Sequence, residues 1–188
     1  MLANHFGISN DTGAVGKLDR IVRWLKPILP YVKVNTDGSV GVNSAGMGGI
    51  IHNHIGNPIA AFSGPLNSCS ILTAELLGLS HGLDICLRLG LHHVNIEIDS
   101  KLVIHVIYDN NASCPQDFYT IKKVKMALYM LNFDISHIYY EGNVCAVWLA
   151  NYGSQSDIVQ ELLVNNLPPP LRGMINLDKK GIPYIRHA

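Results

Sequence analysis

The sequence predicts an α/β fold, a mixed five-stranded sheet flanked by helices, and three observations predict it. Residues 32–37 and 94–99 each alternate apolar and polar side chains with the period of two that marks a strand. Between them, Ile71 to Leu89 repeats apolar residues at helical i, i+4 spacing, and strand, helix, strand implies a parallel pair joined by a right-handed crossover. Ahead of the helix, glycine-punctuated apolar runs read as an antiparallel meander. The full order is β-β-β-α-β-α-α-β-α, three antiparallel strands followed by two parallel ones.

Residues 1 to about 30 mix Gly, Asn, Asp and Ser with a short amphipathic piece, Leu18 to Leu25, that stops at Pro27 and Pro30. They are expected to be a linker with one or two helical turns. In the first strand Val32, Val34 and Thr36 alternate with Lys33, Asn35 and Asp37, so one face is buried, and Asp37 is expected to close the strand. The second strand, Ala45 to His52, contains Gly46, Gly48 and Gly49, whose missing side chains admit a close backbone or ligand. A turn at Asn53 to Pro58 leads to the third strand, Ile59 to Ser63. Ser68 to Ser70 offers helix caps and Gly90 a helix stop. Glu75 then interrupts the apolar row Ile71, Leu79, Leu83, near the helix start, where the macrodipole tolerates an acid.

The fourth strand ends at Asp99, with a helical segment from about Ser100. After a loop at Asn110 to Pro115, Phe118 to Leu131 reads as a helix, Phe133 to Tyr140 as the fifth strand and Asn143 to about Tyr152 as the last helix. Residues 31–153 thus make one domain. Residues 154–188, with Pro168-Pro-Pro170, are expected to be an exposed tail.

Composition narrows the function classes. At 188 residues the chain suits one domain with end segments. Lys plus Arg and Asp plus Glu balance at 14 each, so any nucleic-acid binding must rest on a local site rather than a global basic field. No run approaches the roughly 18 apolar residues of a membrane span. The first thirty residues lack the pattern of a secretory signal, so an intracellular protein without a membrane partner is expected. Cys69, Cys86, Cys114 and Cys145 are evenly spread, which points to reduced thiols rather than zinc or disulfides. The pairs His52/His54 and His92/His93 lack helical ligand spacing.

Three carboxylates converge by topology: Asp37 on the first strand, Asp99 on the strand beside it, and Glu75 on the helix over the sheet. Ligands of such sheets gather beyond the carboxyl ends of strands. Clustered carboxylates suit hard Mg²⁺, and two such ions can activate a water and stabilise the leaving oxygen of a phosphodiester. Taken singly, each acid has the plainer role of meeting water or capping backbone.

The residues Val34-Asn-Thr-Asp37-Gly-Ser39, Gly46-Met-Gly-Gly-Ile-Ile51, Thr73-Ala-Glu75-Leu-Leu-Gly-Leu79 and Glu97-Ile-Asp99-Ser100 resemble the ribonuclease H type-1 family. Trp24-Leu-Lys-Pro27 and Tyr140-Glu-Gly-Asn143 resemble its plant-type branch, often found in retroelement-derived proteins, and the likeness continues into Leu167-Pro-Pro-Pro-Leu-Arg172. The resemblance implies the ribonuclease H-like three-layer fold. It also implies Asp37, Glu75 and Asp99 as metal-binding catalytic acids, two Mg²⁺ ions for which Mn²⁺ substitutes, and endonucleolytic cleavage of the RNA strand of RNA–DNA hybrids to 5′-phosphate and 3′-hydroxyl ends. The branch's fourth acid, within a pattern close to Asn-x-x-Ala-Asp-x-Leu-Ala, is replaced by Val147 in Asn143-Val-Cys-Ala146-Val147-Trp-Leu149-Ala150. Tyr140 stands where the branch commonly has Arg. Both departures imply reduced activity, since loss of such a ligand costs on the order of 10–100-fold.

Candidate contacts to the hybrid are Gly38 and Ser39 in the turn after Asp37, and Ser100, which is equally a helix cap. Lys122 and Lys123, with Lys125, form a basic cluster suited to phosphates, although a solvated helix face is the plainer role. His137 on the fifth strand is more often structural than catalytic. Tyr139, Tyr140, Trp148 and Tyr152 offer stacking surfaces, mostly explained by packing. Two other function classes share these features. One is a catalytically decayed domain that binds nucleic acid without cutting; the other is an integrase-like nuclease, against which the plant-type motifs argue.

Overall fold

The computed structural model describes residues 19–109 and 115–187; Cys114 and most of the expected 110–115 loop lie outside them. Strand β1 is Arg20–Val22, β2 Val32–Val40, β3 Ala45–His52 and β4 Pro58–Leu66, followed by α1 Ile71–Arg88. Then come β5 His93–Ile98, α2 Lys101–Tyr108, α3 Phe118–Tyr129, β6 Asn132–His137, a 3₁₀ turn at Tyr140–Gly142 and α4 Val144–Gly153. The chain ends with β7 Gln160–Leu162, α5 Pro169–Lys179 and β8 Tyr184–Arg186.

The main sheet has six strands in the order β6-β5-β2-β3-β4-β7, with β2, β3 and β4 antiparallel and β5 and β6 parallel to β2. The five expected strands are all present, and the sixth is β7, which pairs Ala61 to Ser63 of β4 with Leu162 to Gln160. Helices α1 to α3 bury Leu76, Leu79, Leu83, Val103 and Val124 against Val34, Phe62 and Ile96 on one face. On the other face, α4 and α5 bury Leu149, Leu171 and Ile175 against Ile50 and Ala61. Three layers result. Among the described residues no helix is long and apolar enough to cross a membrane.

Four local expectations are corrected. Within the amphipathic piece at 18–25, Arg20 to Val22 form a strand rather than a helical turn, because they pair antiparallel with Arg186 to Tyr184, a partner too distant in sequence to be anticipated. Residues beyond Gly153 are not an exposed tail: Leu171 is fully buried and Ile175 nearly so, giving α4 an apolar cover. Strand β2 does not close at Asp37 but runs on to Val40, paired through Asp37↔Gly48 and Ser39↔Gly46. Nor is β2 half buried. Lys33, Asn35 and Asp37 are 4%, 1% and 7% exposed, because α4 and Trp24 cover the polar face.

That covered polar face satisfies itself by hydrogen bonding, as buried polar groups must. The Trp24 indole donates to Asn35 Oδ1 (2.9 Å), and Asn35 Nδ2 donates to Asn143 Oδ1 (3.2 Å). Asn143 Nδ2 donates to the Thr36 carbonyl (3.0 Å). Lys33 pairs with Glu97 from the adjacent strand.

Candidate metal centre

Asp37 projects from β2 beside β5, whose last residue, Ile98, delivers Asp99. Glu75 reaches the same point because α1 crosses β2 in backbone contact. A Cβ on Gly38 would stand 2.4 Å from Glu75 N and 2.5 Å from the Ala74 carbonyl carbon, so only glycine permits the approach. From the opposite face α4 lies against β3 in the same manner, a Cβ on Gly48 falling 2.2 Å from Ala150 N. The glycines of β3 therefore admit a backbone.

One carboxylate oxygen from each of Asp37, Glu75 and Asp99 lies within 4.8 Å of the others. Like charges so close, held away from water, disfavour ionisation. Burial first, and then the Asp99 charge, push Asp37 up to about 7. Burial, then Asp37 and Asp99, push Glu75 up to about 9. Asp99 is also raised, burial outweighing its own backbone N–H, the nearby His137 and a hydrogen bond from Asn143. Glu75 Oε2 and Asp99 Oδ1 are buried without a hydrogen-bond partner. Orphaned acceptors beside repelling charges are the donor set that a hard divalent cation satisfies.

The trio opens into a cavity of about 470 Å³ whose walls include Gly38, Ser39, Ser100, Tyr140, Val147 and Asn151. Ser39 Oγ donates to Asn151 Oδ1 (2.6 Å), and Asn151 Nδ2 donates to the Val147 carbonyl (3.0 Å). Ser100 caps α2 by accepting from Val103 N (3.4 Å), which leaves its own hydroxyl proton to donate. Val147 is 7% exposed and presents only methyl groups to the cavity.

The remaining candidates are elsewhere or differently employed. Lys123 pairs with Asp84 of α1 and Lys125 Nζ donates to the Asp109 carbonyl (3.2 Å), while Lys122 is exposed on the same helix. None of the three lines the cavity. His137 Nε2 bonds the Asp99 carbonyl (3.1 Å), a structural link beneath the site. Tyr139 packs edge-on against His137 and under the Arg186 guanidinium. Sequence reasoning missed Asn35, Asn143 and Asn151 as supports of the site. Asn35 was visible as part of the polar alternation of β2, and Asn143 as the residue opening the last helix.

Residues 35–153 match the family model described as reverse transcriptase-like. A putative ribonuclease H protein of Arabidopsis thaliana is 32% identical over 143 residues, covering 72% of this chain and 22% of that protein, so the chain spans well under half of its relative. Among solved structures, the N-terminal RNase H domain of a Mycobacterium tuberculosis protein superposes with a TM-score of 0.61 at 23% identity, covering 66% of this chain and 93% of that one. LC11-RNase H1 in complex with an RNA/DNA hybrid gives 0.60 at 21% identity, covering 65% and 96%. At these identities the superpositions establish the fold.

Proposed function

The chain belongs to the reverse transcriptase-like family, with a ribonuclease H-like fold, and from that premise we propose that it hydrolyses the RNA strand of RNA–DNA hybrids in a divalent-metal-dependent reaction. The observation that carries this is the convergence of Asp37, Glu75 and Asp99, two of them with orphaned buried oxygens. The Arabidopsis relative's name and the hybrid in the LC11-RNase H1 crystal support the substrate class. Residues 31–153 form the hydrolytic unit in this reading, and family membership supports a retroelement origin.

The three carboxylates would hold Mg²⁺, or Mn²⁺ in its place, which supplies Lewis-acid stabilisation of phosphate oxygens and a more acidic water. Asp37, Glu75 and Asp99 would be the groups that hold the cation, and they line the cavity that a phosphate would enter. The Ser100 hydroxyl donates toward a phosphate oxygen. Ser39, whose proton is committed to Asn151, offers lone pairs to a 2′-hydroxyl, the group that distinguishes RNA from DNA. Gly38 contributes backbone alone.

The apolar wall at Val147 favours a second reading of the same site, binding of the hybrid with weak or lost cleavage. A labelled hybrid incubated with the purified chain in Mg²⁺ or Mn²⁺, beside an Asp37→Asn variant, tests the first. Cleavage that needs Asp37 and leaves 5′-phosphate ends supports hydrolysis. Tight binding without product supports the second reading.

A further inference from the structure

The cavity that holds the acidic trio adjoins a second one of about 440 Å³, with Tyr140, Val147 and Asn151 lining both. Its aromatic wall is made by Trp148 and Tyr152, whose rings stack at 5.0 Å between centroids and 11° between planes, with the Gln155 carboxamide alongside. Trp148 is half buried against the α4–α5 core, while Tyr152 and Tyr140 are 40% and 57% exposed.

We propose that this second cavity binds one unpaired nucleobase of the strand whose phosphate occupies the acidic cavity. The inference rests on the hybrid-binding reading above. Stacked aromatic rings beside carboxamides are the chemistry that recognises a planar heterocycle with donors and acceptors on its edge. Asn151, which lines both cavities, has one N–H and one lone pair left after its bonds to Val147 and Ser39. Val147 makes that wall apolar, so a base passing from phosphate site to stacking site meets no buried charge. A base held within a duplex has both faces covered. The site therefore favours hybrids with an unpaired nucleotide next to the phosphate in the cleft, where unstacking costs least.

The test compares, in Ca²⁺ to suppress cleavage, a fully paired hybrid, the same hybrid with one bulged RNA nucleotide, and the bulge made abasic. The bulged base should bind roughly 5- to 150-fold more tightly than the abasic bulge, the range of one base–aromatic stack. It should also quench Trp148 emission, since Trp24 is sealed at 2% exposure. Tyr152→Ala should abolish the discrimination and leave the fully paired hybrid within about twofold, with Tyr152→Phe restoring it. Because Trp148 packs on the core, the exposed Tyr152 is the variant to use. Equal affinity for bulged and abasic hybrids, or discrimination that survives Tyr152→Ala, overturns the stacking site while leaving the hydrolase reading intact. If no hybrid binds but a short oligoadenylate RNA quenches Trp148 in a Tyr152-dependent way, the hybrid reading fails and the base site stands. No hybrid binding and no quenching overturns both.

Discussion

Gly38 and Glu75 are locked in backbone contact, the space for a Cβ on Gly38 ending 2.4 Å from the Glu75 amide nitrogen. Backbone cannot rotate out of the way as a side chain does, so Gly38→Ala must push α1 from β2 and carry the Glu75 carboxylate with it. Overpacking of this kind typically costs about 1–3 kcal/mol and here should reach the upper end or beyond. Mg²⁺ affinity measured by calorimetry should fall with it. Gly173 in α5 is the control: nothing lies within 4 Å of its added Cβ, and Gly173→Ala should stabilise the chain by about 0.5–1 kcal/mol. If Gly38→Ala melts with the parent and keeps its metal affinity, the contact does not position Glu75.

The acidic trio sets stability against binding. In the unfolded chain Asp and Glu titrate near pH 4, whereas folding pushes Asp37 up to about 7 and Glu75 up to about 9. Below the unfolded values both states are protonated, and these groups cost nothing. As pH rises through the window between, the unfolded chain releases protons that the folded chain retains, so metal-free stability falls. Urea denaturation in EDTA should show that decline from about pH 4 to about pH 9. Asp37→Asn should flatten it and raise the midpoint at neutral pH. Adding Mg²⁺ should stabilise the parent and not Asp37→Asn, because a ligand of the folded state adds stability by mass action. Identical pH profiles for parent and variant would remove the repulsion on which the metal assignment depends.

The fold was legible where periodicity is long. β2, β5 and α1 each show their period over six or more residues; β2 carries Asp37, α1 carries Glu75 and β5 leads directly into Asp99, so the trio was readable before its geometry. Three-residue strands give no such signal: β1 and β7 are recognised only by their partners, β8 and β4. In the first segment the apolar residues Leu18, Ile21, Val22 and Leu25 fit helical spacing instead. Val22 and Trp24 point inward while Ile21 and Leu25 are 69% and 66% exposed, the alternation of an extended chain rather than a helix. The cover that α4 and Trp24 give to the polar face of β2 was illegible, since Lys33, Asn35 and Asp37 read as solvent-facing until partners from distant segments buried them.

Asn143 joins that covered face to the site. Its carboxamide accepts from Asn35 and donates to the Thr36 carbonyl, the residue before Asp37. Asn143→Ala takes a donor from the Thr36 carbonyl and leaves Asn35 Nδ2 only its longer bond to Glu97 Oε2 (3.4 Å), at about 1–3 kcal/mol in all. The denaturation midpoint should drop without a change in slope, which separates lost stability from a changed unfolded state. Trp24→Phe, which removes the donor to Asn35 together with part of the buried ring packed on His52 and Lys33, should cost more than the roughly 1 kcal/mol of the hydrogen bond alone. Equal losses from the two substitutions would show that Asn143 carries no more than its neighbour.

Val147 faces the cavity of the acidic trio at 7% exposure, so Val147→Asp would add a fourth carboxylate to a site that already resists ionising three. Without metal, the extra charge should deepen the repulsion and lower stability further as pH rises. With Mg²⁺ or Mn²⁺ the sign reverses, because an added oxygen ligand strengthens cation binding, and cleavage of a labelled hybrid should rise on the order of 10–100-fold. The same carboxylate, set in the wall shared with the aromatic cavity, should weaken the preference for a bulged base. Activity and base preference thus move in opposite directions in one variant. A Val147→Asp chain that binds Mg²⁺ yet cuts no better than an inactive parent would mean that the acids are ligands without a competent nucleophile position, and the hydrolase reading would give way to binding alone.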